Sequence, residues 1–220
     1  MISVTNLTLS LSNGIVLDNI NAEFEKGSIT GLVGRNGSGK TVLMKCICGF
    51  FKPNTGTISV GGKIVGRDMD FPEDLGIIIE SPGFLGNFSG YENLKMLAMI
   101  RHKIGKKEIS ASMELVGLDP NSKKKVSKYS LGMKQRLGIA QAIMEDPNVI
   151  ILDEPMNSLD SSSVEDVRKL ILHLKAQGKS IILSSHNKED IAMLCDKTYF
   201  MRDGKIVDNL AQNRLSSQSI

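Results

Sequence analysis

No stretch of this chain approaches the roughly 18 consecutive apolar residues that cross a bilayer. The strongest runs, Val149–Leu152 and residues 77–79, are strand-sized. The N-terminus has no basic patch followed by an apolar run, so no secretion signal is expected. Cysteine is scarce. Cys46, Cys48 and Cys195 make an odd number, and in a chain without an export signal they read as buried thiols in a reducing compartment, not as a disulfide or a metal site. Cys46 and Cys48, two apart on an expected helix, should face different ways. Charge of one sign is also lacking: the formal net charge is +3. The one dense basic run, Lys123, Lys124, Lys125 and Lys128, has no aromatics interleaved and reads as a solvated loop, not a nucleic-acid surface. No aromatic residue precedes Phe24, and there is no internal repeat, low-complexity segment or heptad array.

What is present is glycine in a particular place. Gly34-Arg35-Asn36-Gly37-Ser38-Gly39-Lys40-Thr41 fits G-x-x-x-x-G-K-[ST], with a short buried strand expected before it (Ile29–Val33) and a helix after it, from Thr41 to Cys48. In that setting the glycines let backbone amides, running on to Val42, turn inward around a β-phosphate at the positive end of the helix. Lys40 would reach the β- and γ-phosphates, and the Thr41 hydroxyl would be a hard oxygen ligand for Mg²⁺. The pattern predicts binding of a nucleoside triphosphate.

At 220 residues the chain can bury a substantial core in one domain with an appended lobe. Residues 6–12 alternate apolar and polar, with Leu7, Leu9 and Leu11 on one side, and Asn13-Gly14 signals a hairpin into Ile20, Ala22 and Phe24. Pro53-Asn54-Thr55-Gly56 reads as a turn, and residues 57–60 and 63–65 as a hairpin about Gly61-Gly62. Residues 76–79 form a buried strand ending at Glu80. A Ser89/Glu92 capping box opens a helix with Leu94, Leu97 and Ile100 on its face, and a second helix over 107–116 stops at Gly117. Residues 81–130 thus read as a helical insertion. Ser130 caps a helix to about Glu145, residues 161–177 form an amphipathic helix, and residues 180–184 form a strand ending near His186. A last hairpin turns at Arg202-Asp203-Gly204, and the polar tail from Asp208 is expected to fray.

Val149–Leu152 leads into Asp153-Glu154. A buried parallel strand can deliver Asp153 to a Mg²⁺ shell, and Glu154 is then suited to orient and deprotonate an attacking water. In Tyr129-Ser130-Leu131-Gly132-Met133-Lys134-Gln135-Arg136, Ser130 as N-cap with Gly132 nearby presents free amides and a dipole that favour an anion.

With that segment, Glu154-Pro155, Asn157-Ser158-Leu159-Asp160 and Ser185-His186, the sequence resembles the nucleotide-binding subunit of ATP-binding cassette (ABC) transporters. The resemblance runs from about residue 1 to 207 and is most similar to exporters of bacitracin, lantibiotics and related antimicrobial peptides. It implies an α/β fold: a P-loop NTPase (RecA-like) core with an antiparallel β subdomain (1–80 and 131–207), an inserted helical subdomain (81–130) and a polar tail (208–220). It implies ATP and Mg²⁺ as cofactors, with Thr41, Glu80 and Asp153 at the metal and Glu154, Lys40 and His186 in catalysis. Ser130, Gly132, Met133 and Asp160 would meet ATP or the seam of a second subunit, two chains packing head to tail, identical copies being the expected pair. An integral-membrane permease on a separate chain would be the partner, with the ATPase peripheral on the cytoplasmic face and no nucleic acid expected.

Three departures from the family pattern stand out. Glu80 replaces a usual Gln near the metal, Met133 replaces the usual Gln of the signature, and no aromatic stands near Leu11 or Ser12 to stack adenine, leaving aliphatic surface. A soluble ABC-type ATPase acting on ribosomes or DNA is the alternative. Such proteins carry tandem cassettes or coiled-coil insertions that 220 residues do not hold. A small P-loop kinase would leave residues 129–136, Asp153-Glu154 and His186 without a shared explanation.

Overall fold

The computed structural model describes residues 1–12, 14–80 and 83–207. Asn13 of the expected hairpin turn, Ser81 and Pro82 of the loop after Glu80, and the tail from Asp208 lie outside them. Along the chain the elements are β1 (Ile2–Leu11), β2 (Gly14–Phe24), β3 (Ile29–Val33), α1 (Lys40–Ile47), β4 (Thr55–Val60), β5 (Lys63–Ile64), β6 (Leu75–Ile78), α2 (Gly90–Arg101), α3 (Lys106–Leu115), α4 (Leu131–Ile143), β7 (Val149–Leu152), α5 (Ser161–Ala176), β8 (Ser180–Ser184), α6 (Lys188–Leu194), β9 (Lys197–Arg202) and β10 (Lys205–Val207). They fall into two compact units, Met1–Glu73 with the segment from Ile182, and Asp74–Ile181.

In the first unit an antiparallel sheet runs in the order β2-β1-β4-β5. The expected strand over 6–12 is longer than its alternation shows, because the alternation changes phase. Ile2 and Val4 are buried, then Leu7 and Leu9, and the odd step falls at Asn6, which has φ 49°. The partner strand makes the same step: Leu17 is buried, then Ile20, Ala22 and Phe24, with Asn19 at φ 51°. Register shifts interrupt the β1–β2 pairing between Val4 and Leu7, between Leu7 and Leu9 and between Leu9 and Ser10; the first two add one residue to each strand and keep the apolar side continuous, and the third adds one more to β2 near the hairpin end. Side chains satisfy the interrupted ladder: Asn6 N–H donates to Asn21 Oδ1 at 2.9 Å and Asn19 N–H to Thr8 Oγ1 at 3.1 Å. Thr55 and Gly56 belong to β4, not to the expected turn. Gly56 (φ 82°) lies against Asn6 O where a Cβ would collide, so the third strand is fitted to the bulge.

The same unit holds β3, parallel to β9, and the β9–β10 hairpin. Four of the five residues of β3 are buried, as a strand covered on both faces requires. Gly31 admits the Cys195 thiol, which would stand 2.8 Å from a Cβ there. Tyr199 packs edge-on to Phe24 at 5.8 Å, and its Oη accepts from Glu23 N–H at 2.8 Å. Cys46, within α1, and Cys48, its C-cap, are both buried, as their reading as buried thiols requires. Among the described residues all three cysteines are free thiols.

In the second unit β6 and β7 pair in parallel, from Leu75↔Val149 to Ile78↔Leu152. The strand expected over 76–79 thus lies one residue earlier. Asp74 fixes the start of the pair: its carboxylate accepts from Asn148 N–H at 2.9 Å and Asn148 Nδ2 at 2.6 Å. Helix α4 packs on both strands, and Gly76 is the point of closest approach, where a Cβ would overlap Ala142 O. In α2 the capping box is formed, Ser89 Oγ accepting from Glu92 N–H and Glu92 Oε2 from Ser89 N–H. Its buried face is not the expected one. Leu94 is buried with Asn93 and Ala98, whereas Ile100 is 75% exposed. Asn93 fits there because its amide is fully used, donating to Leu85 O and Ser89 O and accepting from Leu85 N–H.

Candidate functional site

The loop Gly34 to Lys40 closes on itself. Ser38 N–H donates to Arg35 O at 3.1 Å, and Lys40, only 6% exposed, folds its Nζ onto Gly34 O at 2.7 Å and Arg35 O at 3.2 Å. Gly34 is hemmed in by Met201 O and by Ser38 Oγ, 2.5 Å from a Cβ built there, and Gly39 takes φ 104° with Leu17 Cδ2 2.9 Å from a Cβ. Gly37, at φ 81°, meets nothing within 4 Å, so one glycine of the loop stays open while two are packed. Gly39 is the N-cap of α1 and supplies no capping side chain. No side chain caps the first turn, which carries Thr41 and Val42 and where helix dipole and N–H groups favour an anion. Gly204 N–H donates to Ser38 O at 3.2 Å and Gly204 O accepts from Asp18 N–H at 2.9 Å, which ties the loop to the β9–β10 turn.

His186 follows β8 in the same unit and is exposed. Its neighbours hold the segment: Ser185 Oγ donates to the buried Asp190 at 2.8 Å and accepts from Asn187 N–H at 3.1 Å, and Asn187 caps α6.

The acidic residues stand in the second unit. The β6–β7 pairing carries one residue past the strands, Asp153 N–H donating to Ile78 O at 2.8 Å, so Glu80, Asp153 and Glu154 gather beyond the carboxyl ends of two neighbouring strands. Glu80 has φ 62° and Glu154 φ 51°, left-handed conformations that cost a non-glycine residue about 1–2 kcal/mol. The start of α4 rests on the segment that follows. Gln135 Nε2 donates to Glu154 O at 3.3 Å and Pro155 O at 3.2 Å, and Gly132 faces Ser158 O, 3.1 Å from where a Cβ would lie. Ser130 caps α4, its Oγ accepting from Met133 N–H at 3.1 Å, and Leu131 is 69% exposed beside it. Asp160 caps α5 with one carboxylate oxygen, which accepts from Ser163 N–H and Ser162 Oγ, each at 2.8 Å. The Ser163 amide foremost, then the Ser162 hydroxyl, pull its pKa down to about 2.

The structure thus joins residues 34–42 and His186 in one unit, and Glu80, Asp153, Glu154, Ser130, Gly132, Met133 and Asp160 in the other. The brace from Gln135 to Glu154 was not visible in sequence: it spans 19 residues, and no spacing rule ties a helical amide to a loop carbonyl.

The ABC transporter family model matches residues 17–157. The uncharacterized ABC transporter ATP-binding protein YybJ of Bacillus subtilis (strain 168) is 45% identical over 206 residues, 94% of each chain. The bacitracin transport ATP-binding protein BcrA of Enterococcus faecalis is 38% identical over 221 aligned positions, covering all of this chain and 72% of that one. The fold is that of the ATP-binding cassette MJ0796, solved as a dimer in a post-hydrolysis state with ADP and Pi, at a TM-score of 0.85 and 20% identity, covering 94% of this chain and 97% of that one. On these matches the chain belongs to the ABC transporter family, as an ATP-binding subunit.

Proposed function

We propose that the chain hydrolyses ATP at a centre completed by a second copy of itself and uses the cycle to drive a separate membrane permease from the cytoplasmic face. The observation that carries this is the glycine-capped α1 with Lys40 folded into its own loop. Its ammonium rests on two carbonyls and can turn to β- and γ-phosphate oxygens while backbone amides of the loop and of the first turn of α1 take the remaining charge. Glu154, held on its braced turn, is the base that orients the attacking water. His186 contacts the γ-phosphate. Ser130, Gly132 and Met133 offer the α4 terminus to the ATP of the partner copy, and Asp160 lies in the loop at that seam.

The donors proposed for Mg²⁺, Thr41, Glu80 and Asp153, are all hard oxygens and fit the ion. Mg²⁺ takes few protein ligands and keeps waters and phosphate oxygens for the rest of its shell. When bound, it would neutralise charge developing on the phosphates. The base would rest on aliphatic surface near the hairpin tip, where Leu11 is 40% and Ile15 64% exposed. The match to BcrA supports a bacitracin-like antimicrobial peptide as the exported cargo.

Glu154→Gln tests the centre. It should leave ATP binding intact, abolish hydrolysis and accumulate an ATP-bound dimer on size exclusion. Hydrolysis near the wild-type rate would remove Glu154 from catalysis. Identifying the membrane protein that co-purifies tests the permease and its cargo.

A further inference from the structure

A triphosphate held at residues 34–42 brings its base to the surface that flanks the first turn of α1, and the β1–β2 hairpin supplies that surface. The third register shift, from Leu9↔Leu17 to Ser10↔Ile15, leaves Val16 as the extra residue of β2. Its carbonyl oxygen lies 3.3 Å from a Cβ built on Gly39, and Leu17 Cδ2 lies 2.9 Å from the same point. The bulge thus fits the hairpin to the phosphate loop. Farther out, Leu11 pairs with Gly14. Alternation sets Leu11, Gly14 and Val16 on the side of Leu17, so together they extend outward from the helix start as a shelf. Leu11 is 40% exposed and Val16 half-buried, and a Cβ on Gly14 would meet nothing within 4 Å.

The side chains that could read a base are committed elsewhere. Ser10 and Ser12, on either side of Leu11, take the opposite face of β1. Asp18 turns away from the side of Leu17, and its carboxylate pairs with Lys205 Nζ at 3.0 Å. Met201 Cε comes within 3.3 Å of the Cβ position of Gly39, so Phe200 and Arg202, its neighbours on β9, take the other face of that strand. Phe24 packs on Tyr199, Phe50 on Phe71, and Phe51 lies under Lys45. With Phe200 these are all the aromatics of the first unit. Among the described residues the shelf offers a base aliphatic contact, with no side-chain donor or acceptor and no ring.

We propose that the chain accepts nucleoside triphosphates as a class, purine and pyrimidine alike, gripping the phosphates and leaving the base unread on the Leu11–Gly14–Val16 shelf. This rests on residues 34–42 being the triphosphate site. Strong discrimination between bases needs buried hydrogen-bonding groups that the wrong base would leave unpaired, and the shelf has none on its side chains. Contact with an aliphatic surface grows only with the area covered. Adenine and guanine cover nearly the same area, and a pyrimidine loses one ring of it.

The test is displacement of a ribose-labelled fluorescent ATP from the full chain by ATP, GTP, CTP and UTP, each with Mg²⁺. ATP and GTP should compete within about fivefold of each other, and CTP and UTP within about tenfold of ATP. The chain has no tryptophan, so Leu11→Trp adds both a stacking face and a single reporter. It should tighten all four nucleotides by about five- to 150-fold, the worth of a base on an aromatic ring, and each should quench its emission. A preference for ATP over GTP beyond about tenfold in the unmodified chain would overturn the proposal and leave ATP binding at 34–42 standing. So would Leu11→Trp emission that no bound nucleotide alters, since the base would then lie elsewhere. Lys40→Ala that still bound all four like the unmodified chain would strike the phosphate site itself, and this proposal with it.

Discussion

Gln135 can be removed without touching a phosphate, and Glu154 should suffer. The two bonds from its amide, at 3.3 and 3.2 Å, are long, so each contributes at the low end of the usual range, about 0.5–1 kcal/mol. Together they contribute about 1.5 kcal/mol, close to the 1–2 kcal/mol that a left-handed non-glycine residue costs. Without them the turn keeps Asn157 N–H on Glu154 O at 3.2 Å but loses its brace to α4, and a displacement of about 1 Å in a positioned base is worth on the order of a hundredfold in rate. Gln135→Ala should therefore melt about 3–6 °C lower, as about 1.5 kcal/mol does in a chain of this size. It should also lower kcat for ATP ten- to a hundredfold, with KM nearly unchanged. Gln135→Glu, which cannot donate to either carbonyl when ionised, should behave like the alanine variant. Wild-type kcat in both variants, measured by phosphate release, would refute the idea that this amide sets the base.

Gly76→Ala should destabilise the chain by roughly 3 kcal/mol, the upper end for overpacking, because its Cβ would meet the backbone carbonyl of Ala142, which cannot rotate away; an unchanged urea midpoint would contradict the close approach of α4 to β6. Asp160 makes stability depend on acid. Its folded pKa of about 2 lies below the ordinary 3.8, so its contribution is complete above pH ~4 and drains away as pH falls toward ~2, and Asp160→Asn should flatten urea midpoints across that window. Burial pushes the Cys46 and Cys48 thiols up to about 12. At pH 8 a chromogenic disulfide should thus titrate only Cys195 in the native protein and all three thiols in guanidinium; three fast thiols without denaturant would show that α1 is not closed.

Features that depend on one local rule were legible in the sequence. The phosphate loop needs glycine at fixed places, and the Ser89–Glu92 box and the Ser130 cap each lie within four residues. What escaped needed partners far along the chain. Periodicity places Ile100 inward, but the face of α2 that packs is set by Asn93, whose amide is useful only because residues 85–89 fold over it. Alternation does not join residues 2–4 to the strand after them, because their buried positions are even and the next are odd.

That change from even to odd has a consequence for how the molecule can vary. Asn6 and Asn19 are a keyed joint in the N-terminal ribbon: excise one and the strands beyond it slip out of step, turning leucines toward water; excise both and β1 and β2 return to step across the joint, while β4 loses the bulge that Gly56 is fitted to. Length changes in this ribbon must therefore come in matched pairs, one on each strand, and a lone insertion or deletion there is a sharper injury than its size suggests.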